Sequence, residues 1–362
     1  MKNKLQLTLP AILVFAALTA NAGISIVDNE EGNFSIGGNV ELNFNYQDRD
    51  SVDSSEFNQD GRVLIEFEGE KYAANGHYVG VKAQPLFESN GETTVDDAYF
   101  IFGKQDAWSI KAGRFEAYDM FPVGLDVFLE YSGDTANDLY NGESAYVYQM
   151  KEARGRGSDG QIMYSQSFGD LYLELGTMIG DRSNLFTDTY HGVAVDHDAT
   201  KDSFLVRPVV TYSMGDFTLS AAMETNLVSN AVVDDNGRDI SDRTGYGVTG
   251  NWNHGNWDLN ANFAYLDAVD ENNLSAGLNA LYSQFGIGYI YASNEYDSAW
   301  ANGDVSVSTG YASYEFTNVF DVEDFSVLLG TYYTTLDNKT DNASVFAEDD
   351  DFGARIRLFY EF

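Results

Sequence analysis

His191 and His197 stand six residues apart in a stretch that also carries Asp196 and Asp198, and these four side chains could together hold a divalent cation weakly. The other histidines are His77 and His254. Four scattered imidazoles are too few for a zinc site, so the stretch reads as a polar loop. Asp234-Asp235-Asn236-Gly237 begins like a calcium loop but lacks the later glutamate that completes one. The chain has no cysteine, which removes disulfides, thiolate ligands and thiol nucleophiles. A hydrolase would need Ser or Asp beside His at one edge of the fold, and neither His77 nor His254 has an evident nucleophile. The expectation is a protein with no catalytic residues, no metal and no cofactor.

The elements that carry these residues follow a single rhythm. Phe34, Ile36, Gly38, Val40, Leu42, Phe44 and Tyr46 fall on one phase, and Ser35, Gly37, Asn39, Glu41, Asn43 and Asn45 on the other. Alternation with period two is the signature of a strand with one apolar and one wet face. Such runs recur at 33–47, 61–71, 76–86, 95–103, 107–115, 157–168, 171–180, 203–214, 217–226, 244–253, 257–266, 273–283, 285–296, 305–316, 325–335 and 350–362. Their lengths lie near the ten or so residues of a tilted strand crossing a bilayer. The last run, Asp350 to Phe362, sets Phe352, Ile356, Leu358, Tyr360 and Phe362 against Arg355, Arg357 and Glu361. That suits a wall between lipid and a wet interior.

Connections alternate between short turns rich in Gly, Asn and Asp and long acidic segments at 48–60, 87–94, 116–156, 181–202, 227–243, 267–272, 297–304 and 336–349. The expected fold is all-β: a transmembrane antiparallel β-barrel of sixteen strands. Because 95–103 has no clear phase and 317–324 exceeds a tight turn, fourteen or eighteen are the alternatives. Lys2 and Lys4, the apolar run 11–20 and the small-x-small site Ala20-Asn21-Ala22 read as a signal peptide over 1–22. The single barrel domain would then be 23–362, exported to the outer membrane. No later segment reaches the roughly twenty apolar residues of a spanning helix. A closed sheet is the other way to satisfy the backbone in lipid.

The formal net charge is -37, which argues against nucleic-acid binding because that requires a basic footprint. Hydrophobic residues make up 44%, in ordered alternation, which argues against disorder. The acidic loops could bridge to lipopolysaccharide phosphates through Ca²⁺ or Mg²⁺. One connection, 116–156, is too apolar to extend into solvent and is expected to fold back into the barrel, narrowing a water-filled channel. Small hydrophilic solutes would pass down their gradients, cations preferentially.

Here the sequence resembles the trimeric general diffusion porins of Gram-negative outer membranes. Ala112-Gly113-Arg114 is similar to the step closing the strand before their constriction loop. Asp126, Glu130 and Gly133-Asp134-Thr135-Ala136 follow with that loop's spacing, then Gly155-Arg156, and Phe67-Glu68-Gly69-Glu70 resembles the end of their second strand. The resemblance implies a homotrimer whose eyelet sets Arg62, Arg114 and Arg156 on the wall against Asp126 and Glu130 on the loop. Arg114 shares the phase of Trp108, Ile110 and Ala112, so it would need a bulge at Gly113 to face the pore. The chain also resembles the raffinose-type glycoporins in length, acidity, aromatic content and the segment Val95 to Tyr131. That implies sugar platforms at Tyr118, Phe121, Phe128, Tyr131 and Tyr140, whose plainer role would be to pin the loop to the wall. A structural or adhesive barrel and an outer-membrane enzyme are the remaining classes.

Overall fold

The structure is a computed structural model and describes residues 23–49, 54–128, 147–156, 160–186, 188–342 and 349–362. The expected signal peptide over 1–22 lies outside them. In chain order the strands begin with β1 (Ile24–Asn29), β2 (Gly32–Arg49), β3 (Ser54–Tyr72), β4 (His77–Glu88), β5 (Thr93–Lys104), β6 (Trp108–Arg114), β7 (Gly160–Phe168) and β8 (Leu171–Gly180). A two-residue hairpin follows, β9 (Thr189–Tyr190) and β10 (Val193–Ala194), then β11 (Ser203–Met214), β12 (Phe217–Asn226) and β13 (Thr244–His254). The remainder are β14 (Trp257–Ala268), β15 (Glu271–Tyr282), β16 (Phe285–Asp297), β17 (Asn302–Phe316), β18 (Phe325–Asn338) and β19 (Asp349–Glu361).

Strands β2–β8 and β11–β19 form the wall. Each pairs antiparallel with the next, β8 pairs with β11, and β19 closes on β2 from Asp351↔Arg49 to Glu361↔Asn39. Sixteen strands therefore make a sealed antiparallel barrel, as the hydropathy pattern predicts. Closure removes the edges, so every wall strand has a neighbour on both sides. The extra strand β1 pairs with β2 from Ile24↔Ile36 to Asn29↔Gly32, along the part of β2 that β19 does not reach.

Side-chain alternation holds across the wall. Asn43 and Asn45 are buried inside while the intervening Phe44 is 44% exposed on the outer face. Phe100, Ile287, Tyr289 and Ile356 are likewise exposed outward. Aromatic pairs collect near the short turns: Trp257 with Tyr282 at 4.5 Å and Tyr314 with Phe316 at 4.8 Å between ring centroids. This is where amphipathic rings prefer to sit, at the boundary between hydrocarbon and water.

Parts of two expected loops are strand instead. β3 starts at Ser54, seven residues before the expected 61, and runs for 19 residues. The acidic character of 48–60 belongs partly to a wet strand face, where Asp60 accepts hydrogen bonds from Asn43 Nδ2 at 2.5 Å and Asn45 Nδ2 at 2.5 Å. The connection at 267–272 is a tight turn at Val269-Asp270, with Asp270 in the left-handed region at φ 60°.

The outward face makes a direct prediction. Leu278 is 62% exposed near the middle of β15. Leu278→Arg should cost about 2–4 kcal/mol of folding free energy in phospholipid vesicles. Equilibrium urea unfolding measures this, and an unchanged stability would mean that this face does not meet lipid.

Candidate channel constriction

The loop after β6 enters the barrel and lies against its inner wall. Its backbone runs across successive strands, and wall side chains donate hydrogen bonds to its carbonyls one after another. Arg207 Nη2 on β11 donates to Tyr118 O at 2.8 Å, and Thr249 Oγ1 on β13 to Met120 O. Asn262 Nδ2 on β14 and Asn279 Nδ2 on β15 both donate to Pro122 O, at 2.7 and 2.8 Å. Tyr311 Oη on β17 donates to Val123 O at 2.6 Å, Ser313 Oγ to Leu125 O, and Arg355 Nη1 on β19 to Val127 O at 2.5 Å. A strand-less segment inside a barrel has no ladder to satisfy it, and these donors take the ladder's place.

Small residues on the wall let the loop come this close. A Cβ on Gly277 would sit 3.0 Å from Phe121 Cε1, and one on Gly247 2.8 Å from Met150 Cγ. At Gly330 a Cβ would overlap Val127 Cγ2 and lie 2.9 Å from Phe128 Cε2. These glycines are all on the inward phase, so they form a shallow channel in the wall along the loop's path. Gly124, at φ 68°, turns the loop against Asn279 in a conformation that suits glycine.

The returning limb, 147–156, is held by buried charge. Arg207 is fully buried between the two limbs, donating from Nε to Met150 O at 3.2 Å and lying 3.6 Å from Glu174 and 3.7 Å from Glu224. Glu224 accepts from Tyr148 Oη at 2.6 Å and from the backbone N–H groups of Glu152 and Ala153 at 3.3 and 3.0 Å. Glu174 accepts from the Tyr118 N–H at 3.2 Å. Arg243 pairs with Glu152 at 2.5 Å, and Arg182 donates to Glu152 O at 2.9 Å. Charges this deep persist only when they are paired, and Arg207 with Glu174 and Glu224, and Arg243 with Glu152, supply those pairs.

Loops 181–202 and 227–243 pack over the same side of the barrel. Leu185, Phe186, Tyr190, Val232 and Ile240 are buried in one cluster with Met120, Phe121 and Phe128. His191 Nε2 lies 2.9 Å from Glu271 Oε2, with the imidazole stacked between Tyr190 and Trp300. Burial, with the Arg238 and Arg243 guanidinium groups adding to it, pushes the imidazole down to about 3. Its Nε2 partner is a carboxyl, and among the described residues no cluster of three His, Asp or Glu is arranged to hold a metal. Asp234, at the start of the calcium-like stretch, spends its carboxylate on the Asn236 and Arg238 N–H groups and the Arg238 guanidinium.

The sector left open lies along β2–β5 and the loop's base. Beside the buried Leu64, Gln84 and Leu86, its inward face carries charged residues that are only partly covered: Arg62 is 34% and Glu66 29% exposed, whereas Asn273 and Ser275 on β15 are fully buried. Arg62 pairs with Glu41 at 3.0 Å, and Arg357 approaches the same carboxylate at 3.7 Å. Lys82 pairs with Glu66 at 2.8 Å. Arg156 pairs with Asp96 at 2.7 Å and Asp97 at 3.1 Å, and lies 4.0 Å from Glu116. Arg154 bridges Glu116 at 3.2 Å and Asp119 at 3.5 Å.

The expected site residues therefore divide. Arg62 and Arg156 stand in the open, charged sector, but their carboxylate partners are Glu41, Asp96, Asp97 and Glu116. Asp126 is 8% exposed and turned back into the loop, its Oδ1 accepting the Phe128 N–H at 2.8 Å. Arg114 keeps the outward phase, because β5 and β6 pair without a bulge through Tyr99↔Gly113 and Ala98↔Arg114. Its guanidinium engages the carbonyls of Val95, Asp96 and Arg156 and so braces the loop's base. Phe121 and Phe128 are buried, Phe128 between Tyr332 at 4.9 Å and the Arg355 guanidinium at 4.9 Å, while Tyr118 Oη bonds Ser220 Oγ at 2.8 Å. All three pin the loop to the wall. Glu130, Tyr131 and Tyr140 lie outside the described residues. Sequence reasoning missed Glu41, Asp96, Asp97, Arg154 and the Arg207 cluster. Their only signal was a charge on the wet phase of a strand or near the ends of the long loop.

Residues 33–362 match the family described as the porin-like glycoporin RafY. The chain belongs to this porin family. As a member it is a channel protein of the outer membrane, built on the closed barrel described above. Solved porins share the fold at low identity. OmpF of Salmonella typhi, in complex with daunomycin, is 14% identical with a TM-score of 0.58, covering 94% of this chain and 100% of that one. The anion-selective porin of Comamonas acidovorans is 14% identical with a TM-score of 0.59, over 92% of this chain and 100% of that one. In vitro folded OmpT of Vibrio cholerae, in its trimer form, is 13% identical with a TM-score of 0.55, over 91% and 100%. No curated protein matches the chain.

Two substitutions test how this porin holds its loop. Arg207→Met leaves Glu174 and Glu224 buried without their cation and should cost about 3–5 kcal/mol, releasing 147–156 to protease while the barrel persists. Resistance equal to wild type would remove Arg207 from that role. Gly330→Val should drive the Val127–Phe128 segment off the wall and lower single-channel conductance; unchanged conductance would mean the segment lies outside the current path.

Proposed function

We propose that this porin is a passive diffusion channel for small hydrophilic solutes and ions, and that it prefers cations. The observation that carries the reading is the composition of the open sector. Asp60, Glu41, Glu66, Glu68, Asp96, Asp97, Glu116 and Asp119 stand there against Arg62, Lys82, Arg154, Arg156, Arg355 and Arg357. An excess of carboxylates along a narrow aqueous path raises the local cation concentration and repels anions. Arg62 and Arg156 would be constriction residues in this scheme, each held in place by wall carboxylates. Asp126 and Glu130 remain proposed as loop acids of the eyelet, and Arg114 as a brace of the loop base.

A second reading, preference for an oligosaccharide, is favoured by the family's description and by one feature of the wall. Asn43, Asn45, Asn58, Asp60, Arg355 and Arg357 form a continuous hydrogen-bonded ladder across β19, β2 and β3. Asn58 and Asp60, the exposed end of this row, can exchange bonds with sugar hydroxyls. Tyr131 and Tyr140 stay proposed as platforms; Tyr118, Phe121 and Phe128 fit better as anchors of the loop.

We further propose a homotrimer, as in the trimer form of Vibrio cholerae OmpT. Removal of 1–22 on export and bridging of the acidic loops to lipopolysaccharide by Ca²⁺ or Mg²⁺ belong to the same reading. No enzymatic step is needed for any of it.

The decisive experiment is the reversal potential of purified protein in a planar bilayer under a salt gradient, repeated with sugars added. A cation-selective potential is expected, and Asp96→Asn with Asp97→Asn should move it toward anions. Anion selectivity in the wild type would overturn the proposal, and saturable current block by one oligosaccharide would establish the second reading.

A further inference from the structure

Between wall strands, seven hairpin connections lie on the short-turn side of the barrel, and six of them span two to four residues. The seventh, 317–324 between β17 and β18, spans eight, and it carries exposed apolar side chains: Phe320 is 88% and Val322 45% exposed. Its backbone is unusual. Asn318, Phe320, Asp321 and Asp324 all have φ between 53° and 59°, a region that non-glycine residues seldom occupy. Local bonds hold that shape: Asp321 N–H to Asn318 O at 3.1 Å, Asp324 N–H to Asn318 Oδ1 at 3.2 Å, and Glu361 N–H to Asp324 O at 3.1 Å.

The strained backbone gives the Phe320 ring a definite direction. It stacks on Phe325 with centroids 6.4 Å apart and planes at 21°. Phe325 opens β18 on the same phase as Leu329 and Tyr333, the lipid-facing phase, and pairs with Tyr360. Tyr360 in turn stacks on Phe362 at 6.2 Å. On the preceding strand Tyr314 and Phe316 are also outward and exposed. Phe320 thus continues an existing row of rings on the outer face instead of pointing down into water or in toward the lumen. The acids Asp321 and Glu323 alternate with the two apolar residues and are exposed.

We propose that turn 317–324 is a lipid-seated anchor, with Phe320 and Val322 inserted at the headgroup–acyl boundary of the leaflet on the short-turn side and Asp321 and Glu323 kept in the aqueous layer. The occupant of this surface is lipid because the patch is continuous with the barrel's own lipid-facing girdle. Aromatic and aliphatic side chains backed by charged neighbours are what an interfacial segment uses to lie in that boundary. The anchor would fix the height and tilt of β17–β19, the strands that hold the tip of the constriction loop through Tyr311, Ser313 and Arg355.

Because the chain has no cysteine, single spin labels report on chosen positions without background. Labels are placed through Phe320→Cys, Asp321→Cys, Val322→Cys and Glu323→Cys in vesicles of phosphatidylcholine and phosphatidylethanolamine. At 320 and 322, relaxation by molecular oxygen should exceed relaxation by a water-soluble nickel chelate, with the order reversed at 321 and 323. Nickel access at all four positions would mean the turn stands in water and would overturn the proposal. Shielding of 320 and 322 from both reagents would overturn it in favour of a protein contact, including a second copy of this chain. Phe320→Trp, in a chain whose four native tryptophans are replaced by phenylalanine, keeps a ring in place as an independent reading: its emission should be quenched by lipids brominated near the glycerol end, and no quenching would overturn the anchor.

Discussion

Everything about this channel follows from one constraint, that a loop inside a barrel must find partners for its backbone. The carbonyls of Tyr118, Met120, Pro122, Val123, Leu125 and Val127 find them in side-chain donors on β11, β13, β14, β15, β17 and β19. Leaving them buried and unpaired would cost more than the loop could recover by packing. Inward glycines at 247, 277 and 330 supply the complementary condition, since donors are useful only if the backbone comes within hydrogen-bond reach. Donor and glycine positions together set the loop's path, and the path sets what lumen remains.

Electrostatics then divides the interior into two kinds of space. On the filled side, Arg207, Glu174, Glu224, Glu152 and Arg243 are almost wholly buried and each is paired with an opposite charge, while Arg207, Glu174 and Glu224 also bond backbone groups of the loop. On the open side, Arg62, Lys82 and Arg156 are part-exposed and stand among a larger number of carboxylates. The first arrangement works as a fastener because a buried charge cannot lose its partner cheaply. The second acts on passing ions because it is hydrated and unbalanced.

The barrel was legible from residue order because its cause is local. Alternation of Phe34 to Tyr46 states which face of β2 meets lipid, and sixteen such runs with alternating turn lengths leave few folds to choose from. The misreadings have a common origin. Asp48 to Asp60 looked like a loop because acids were equated with solvent, whereas the wet face of a pore-lining strand has the same composition. Asn262, Asn279, Thr249 and Ser313 were equally visible as polar inward residues. Nothing in their identity says whether they face water or the carbonyls of another segment.

The sequence by itself determined the class of the molecule: an acidic chain of period-two strands, a sealed wall, and a long apolar third loop that had to turn inward. Tertiary structure decided which charges meet. Arg355 reaches Asn45 across 310 residues of chain and Val127 across 228, and Arg207 reaches Tyr118 across 89. Such partnerships depend on barrel closure and on the loop's route over the wall. Strand phase is set between adjacent residues, whereas these contacts exist only after the cylinder has closed around the loop.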